Sequence, residues 1–132
     1  MHDDDALARM RRQYYFRPSA DGLLAWDVHR LVRLSRDLPV HAVPLSDIRE
    51  LDEPVFGDEE PLTWRGLVAH VRLMDEVDPR YPIILAADGA VMDGRHRVAR
   101  ALREGRPTIA AVRFAEDPPP DHVGRAPEEL EY

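Results

Sequence analysis

The stretch from Pro82 to Phe114, PIILAADGAVMDGRHRVARALREGRPTIAAVRF, constrains the fold of this chain more than any other. Pro82 to Ala86 and Ala90 to Met92 are short apolar runs that read as strands on either side of Ala87-Asp88-Gly89, a hairpin turn in which glycine supplies the positive φ. The period then changes. Val98, Ala101 and Leu102 recur at helical spacing and point inward, and Gly105 stands where a C-terminal glycine cap belongs. Arg106-Pro107 forces extension, and Thr108 to Phe114 makes a further strand. Strands and a helix interleaved over so short a distance predict a small mixed sheet packed with helices, in the α+β class.

Elements upstream are read in the same way. Residues 1–19 mix charges with Tyr14, Tyr15 and Phe16 before Pro18, an arm whose aromatics pack onto the domain. From Asp21 to Asp37, Leu24, Val28 and Leu31 recur at helical spacing, with Leu23, Trp26, Val32 and Leu34 widening the stripe, and Pro39 stops the predicted helix. Val40 to Leu45 alternates as a strand, and Ser46 is placed to cap a brief helix over Asp47 to Leu51. Seven acids against one arginine between Asp47 and Glu60 read as a solvated loop. Thr63 opens a second helix, with Trp64, Leu67, Val68, Val71 and Met74 on one apolar face, ending before Pro79. Residues 115–132 carry six acids and four prolines with little apolar content and are expected to be mobile. The expected organisation is an arm (1–19), one domain (20–114) and an acidic, proline-rich tail (115–132).

Composition bounds the rest. A chain of 132 residues, 44% hydrophobic and 33% charged, suits one core rather than two. Cysteine is absent, which removes disulfides, thiolate metal sites and thiol nucleophiles together. All 18 basic residues are arginine, so lysine-dependent phosphate loops and Schiff bases are excluded. The net charge of −7 argues against sequence-blind DNA coating and disfavours DNA binding, though it leaves room for a local basic patch. No run of about 18 apolar residues occurs, and Met1-His2-Asp3-Asp4-Asp5 is acidic where a secretory leader would be basic. The expectation is a soluble, cytoplasmic protein with no membrane partner.

The candidate site lies at Asp93-Gly94-Arg95-His96-Arg97. A strand that turns into a helix at a glycine leaves the first amides of the helix unpaired and pointing outward, which suits an anion. Gly94 lets a ligand approach, Arg95 and Arg97 can clamp phosphate or carboxylate oxygens, and His96 can donate or move a proton near neutrality. Asp93 must then be paired, bridged by Mg²⁺ or turned toward another part of the substrate. The plainer reading makes Asp93 an N-cap, the arginines helix surface and His96 a satisfied cap or core residue. His29, His41 and His70 lack metal-ligand spacing and read as structural, while Trp26 and Trp64 read as core anchors.

The order of these elements resembles the core of the ParB/sulfiredoxin superfamily, as a stand-alone member. The resemblance covers Val40 to Phe114 and includes Val43-Pro44-Leu45 and the helix from Thr63 to Val77. It implies a nucleotide-phosphate cradle at the helix head. Gly94, His96 and Arg97 correspond to the Gly, His and Arg of the sulfiredoxin box, but Arg95 replaces its cysteine, so sulfinic acid reduction is not expected. Partition proteins share Gly94 and Arg97 but carry Glu-Arg at positions 95 and 96, and no helix-turn-helix follows Phe114 here. The Asp-Gly-x-His-Arg form is nearest to that of free-serine kinases of the superfamily.

The function this implies is binding of a nucleotide or phosphorylated small molecule, with ATP, ADP or CTP and Mg²⁺ as candidate cofactors, extending to phosphoryl transfer. Gly94, Arg95, His96 and Arg97 would hold the ligand and Asp93 would hold the metal. Asp93 and His96 would take part in chemistry, with Glu50 the candidate base from a group that includes Asp52 and Glu53. One alternative is a non-catalytic module that holds a protein partner through the arm or tail. Another, a ParB-like nuclease, would need Asp93, Glu50 and Asp52 to gather around a metal.

Overall fold

The computed structural model describes residues 12–54 and 63–132. In chain order its elements begin with β1 (Tyr14–Ser19), β2 (Gly22–Asp27), α1 (Val28–Ser35), β3 (His41–Pro44) and the 3-10 turns Leu45–Asp47 and Arg49–Asp52. They continue with α2 (Trp64–Glu76), β4 (Ile83–Leu85), β5 (Val91–Asp93), α3 (Arg95–Arg103), β6 (Thr108–Arg113), β7 (His122–Val123) and the 3-10 turn Pro127–Glu129. The content is α+β, with the strands in two small sheets. Among the described residues no helix is long and apolar enough to cross a membrane.

The chain divides into two compact units, one made of the described part of Met1–Asp37 with Asp117–Tyr132 and the other of Leu38–Glu116. The divisions fall after residues 37 and 116, not 19 and 114, because the expected arm and the expected tail pair within one sheet of order β1-β2-β7. The acidic start of the chain lies outside the described residues, as do Asp58, Glu59 and Glu60.

In the first unit, the helix expected from Asp21 is a strand as far as Asp27. Leu23, Leu24 and Trp26 satisfy either period, and cross-strand partners decide between them: Tyr15 pairs with Trp26 and Phe16 with Ala25. The Tyr15 and Trp26 rings lie 5.6 Å apart, and Trp26 is 2% exposed, a core anchor as the sequence suggests. Asp27 then caps α1 by accepting from the His29 amide at 2.9 Å, and Val28 and Leu31 bury the helix face.

The tail is ordered against this hairpin. His122 and Val123 pair with Ala25 and Leu24, and the Trp26 indole donates to the Pro118 carbonyl at 2.7 Å. Two of its acids meet arginines: Asp117 meets Arg17 and Asp121 meets Arg30, both at 3.0 Å. Composition alone suggested mobility because it does not reveal these partners. Proline carbonyls, already conformationally restricted, are ready acceptors for the indole and for Arg30.

In the Leu38–Glu116 unit the sheet order is β3-β6-β4-β5. The central pair β4 and β6 is parallel, as a crossover through β5 and α3 requires, and the outer pairings are antiparallel. Ile83, Leu85, Val91, Val98, Ala101 and Ala111 form the core with Leu45 and Ile48. Each large aliphatic side chain buried there contributes about 1.5–3 kcal/mol. The hairpin turn forms as expected, with Gly89 at φ 92° and its amide donating to Ala86. Thr63 caps α2 by accepting from the Gly66 amide at 3.0 Å.

Three expectations fail in this unit. Ser46 caps nothing: the segment after β3 forms two 3-10 turns that follow Pro44 and Ile48, with no side-chain cap. The apolar face of α2 is not core, for α2 has no fully buried residue and Trp64 is 85% exposed. Leu102 is 55% exposed because Val98 and Ala101 already fill the inward side of this short helix.

Candidate functional site

The corner between β5 and α3 needs glycine for two reasons. Gly94 has φ 108°, and a Cβ there would lie 2.5 Å from Ile83 Cγ2. Gly94 is itself the N-cap position of α3, so no side chain caps the helix, and Asp93 is not the cap. The first turn therefore carries amides without a side-chain acceptor at its positive end.

Asp93 and Arg97 are committed to each other. Arg97 Nη2 donates to Asp93 Oδ2 at 2.7 Å, and its Nη1 donates to the carbonyls of Tyr81 and Pro82 at 3.0 Å each. Both side chains are largely buried. This arrangement ties the first turn of α3 to the segment before β4, and neither residue lines the neighbouring cavity. Among the described residues no group of three or more His, Asp or Glu side chains could hold a metal ion, so Asp93, Glu50 and Asp52 do not form the cluster a nuclease needs.

A cavity of about 320 Å³ lies beside the helix head. Its walls are largely apolar, built from Ile48 and Leu51, from Leu67 and Met74 on α2, and from Val91, Val98 and Ala99. Glu50, Glu53, His70, Arg95 and His96 add polar groups. Three of the residues singled out in the sequence, Glu50, Arg95 and His96, thus meet at one cavity, although Glu50 is separated from the other two by more than 40 positions. Such a mix of apolar wall and few convergent polar groups is typical of small-molecule sites.

Glu50 has a structural bond and a spare oxygen. Its Oε2 accepts from the Val91 amide at 2.6 Å, covering a donor on the edge strand β5, whereas its buried Oε1 has no hydrogen-bond partner. Arg95 is exposed at the cavity rim. His96 is half-buried and contacts His70 across α2 and α3, with His96 Nε2 2.8 Å from His70 Nδ1 and the rings stacked at 5.0 Å. Burial holds the His96 pKa below the usual histidine value, and the neighbouring His70 and Arg95 add to the effect.

His70 was read from the sequence as structural, yet it belongs to this site. Its spacing from Leu67 and Met74 puts it on the same α2 stripe, which is the signal that could have found it. His29 and His41, on α1 and β3, are not among the residues that line the cavity. Comparisons with protein-family models, curated proteins and solved structures find no match to this chain.

Proposed function

We propose that the Leu38–Glu116 unit is a ParB/sulfiredoxin-like domain that binds a nucleotide or phosphorylated small molecule in the cavity beside α3. The observation that carries this reading is that Arg95, His96 and Glu50 line one largely apolar cavity beside the uncapped first turn of α3. Phosphate oxygens would sit against Arg95 and the α3 amides, where charge-assisted bonds and the helix dipole favour an anion. The apolar wall would take a base or other carbon framework. Arg97 would act by holding the corner in shape, since protein oxygens already occupy its guanidinium.

Phosphoryl transfer is the reaction this arrangement could serve. The Glu50 carboxylate would accept the proton of an acceptor hydroxyl as the hydroxyl oxygen bonds to phosphorus and the bond to the leaving nucleoside diphosphate breaks. Mg²⁺ would be brought by the nucleotide phosphates. Calorimetric titration of the full chain with ATP, ADP and CTP in Mg²⁺ tests the binding reading. Saturable heat that Arg95→Ala weakens supports it, and no heat with any of the three removes it.

A second reading, a module that holds a protein partner without chemistry, is favoured by α2 alone. That helix exposes Trp64, Val68 and Val71 at helical spacing.

A further inference from the structure

The hydrogen bond between His70 and His96 limits what the pocket can do with protons. A bond between Nδ1 of one imidazole and Nε2 of the other needs one N–H and one lone pair. Two imidazolium rings would set N–H against N–H at 2.8 Å, so the intact pair accepts one extra proton and resists a second. Among the described residues, the other charged groups lining the cavity are Glu50 and Glu53 from the segment after β3 and Arg95 from α3. Glu50 and Glu53 favour a proton on the pair, and Arg95 opposes it. The remaining charges of the α3 head, Asp93 and Arg97, are paired with each other.

We propose that His70 and His96 act as a single proton-accepting unit, and that an anion bound at the head of α3 draws one proton onto it. This inference rests on the anion-binding reading above and adds its regulation: the pocket would take its ligand together with a proton. An anion beside Arg95 cancels the charge that opposes protonation, and the imidazolium then contributes an attraction of its own. By linkage, affinity would rise as pH falls, by up to about tenfold per pH unit for one proton taken up. The direction of the His96 shift, downward chiefly through burial, agrees with this. His70 is the positioning residue of the pair.

Sulfate is a suitable probe, since its charge does not change between pH 5 and 8. The experiment follows imidazole ¹⁵N and backbone amide resonances of the full chain by NMR over that range, with and without sodium sulfate at matched ionic strength. The expected result is that both rings report one shared protonation step, and that sulfate moves its midpoint upward while perturbing the Arg95 to Arg97 amides. Independent titration of the two rings in the sulfate-free protein overturns the pairing. A sulfate response at the α3 amides with an unmoved midpoint overturns the coupling and leaves the anion site standing. No response at those amides to sulfate or to ATP with Mg²⁺ overturns the anion site and the coupling with it. In His70→Gln, sulfate should still perturb α3 but with less than a twofold change in affinity per pH unit. Retention of the full pH dependence in that variant overturns the role of His70.

Discussion

Arg97 reaches back one helical turn to Asp93 at 2.7 Å and forward in space to the carbonyls of Tyr81 and Pro82, so one guanidinium ties together the strand end, the helix start and the approach to β4. It is a largely buried pair whose partners are all protein atoms. Replacing Arg97 with Ala should destabilise the chain by about 2–3 kcal/mol, because it leaves the Asp93 carboxylate and two carbonyls short of donors. Urea unfolding should show a lower midpoint with an unchanged slope. A loss below about 0.5 kcal/mol, the range of ordinary surface substitutions, would show that the clamp carries little.

Gly94 and Gly89 offer a controlled comparison. Both have positive φ, but a Cβ at Gly89 meets nothing within 4 Å, whereas one at Gly94 collides with Ile83. Gly89→Ala should cost the backbone strain alone, about 1–2 kcal/mol. Gly94→Ala should cost more by the packing clash, typically a further 1–3 kcal/mol. Equal losses in chemical denaturation would mean that β4 shifts freely to admit the methyl group.

Arg95 is exposed and forms no hydrogen bond or ion pair with the described residues, so Arg95→Ala should leave the unfolding midpoint unchanged. Its effect should fall on ligand affinity. Loss of a charge-assisted bond worth about 1.5–3 kcal/mol predicts at least a tenfold weaker affinity for the nucleotide that binds best by calorimetry. Unaltered affinity would place the anion elsewhere.

The lowered pKa of His96 has a definite sign for stability. Its folded value lies below the ordinary 6.5, so on acidification the unfolded chain takes the proton first. The contribution is therefore complete above about 6.5 and declines as pH falls through and below that value. Wild type should lose stability between pH 7 and 5.5 more steeply than His96→Gln in urea melts. Parallel pH profiles would contradict the burial of this ring.

The two tryptophans should report separately. Trp26 is buried with its indole bonded to Pro118, and Trp64 is 85% exposed. Iodide should quench the Trp26→Phe variant strongly and the Trp64→Phe variant weakly. Removing residues 117–132 should red-shift the emission of Trp64→Phe, since Trp26 then loses β7 and its carbonyl partner.

Much of the Leu38–Glu116 unit was legible because its signals are local. The Gly89 turn, the Thr63 cap, the Gly94 corner and the Pro107 extension each act within a few residues. Local signals also singled out Arg95 and His96, whereas Glu50 was proposed from the superfamily resemblance. What those signals missed depends on distant partners. Leu23 to Trp26 fit a helix until Tyr15 and Phe16 paired across from them. The tail looked unstructured until arginines and the Trp26 indole met it. Arg97 looked like a ligand clamp because the carbonyls that hold it belong to Tyr81 and Pro82, some fifteen positions upstream. His70 read as structural because its contact with His96 lies across two helices.

In sequence, the continuous Leu38–Glu116 unit separates the two parts of the other unit, and this bears on the order of events during translation. Strands β1 and β2 emerge from the ribosome early, but their third neighbour, β7, is made only after the whole α3-bearing segment. All four strands of the β3-β6-β4-β5 sheet have been made once Glu116 is synthesised, whereas the hairpin with its aromatic surface lacks its third strand until His122 and Val123 follow. Nascent chains stalled before residue 117 should therefore expose that aromatic surface to chaperones.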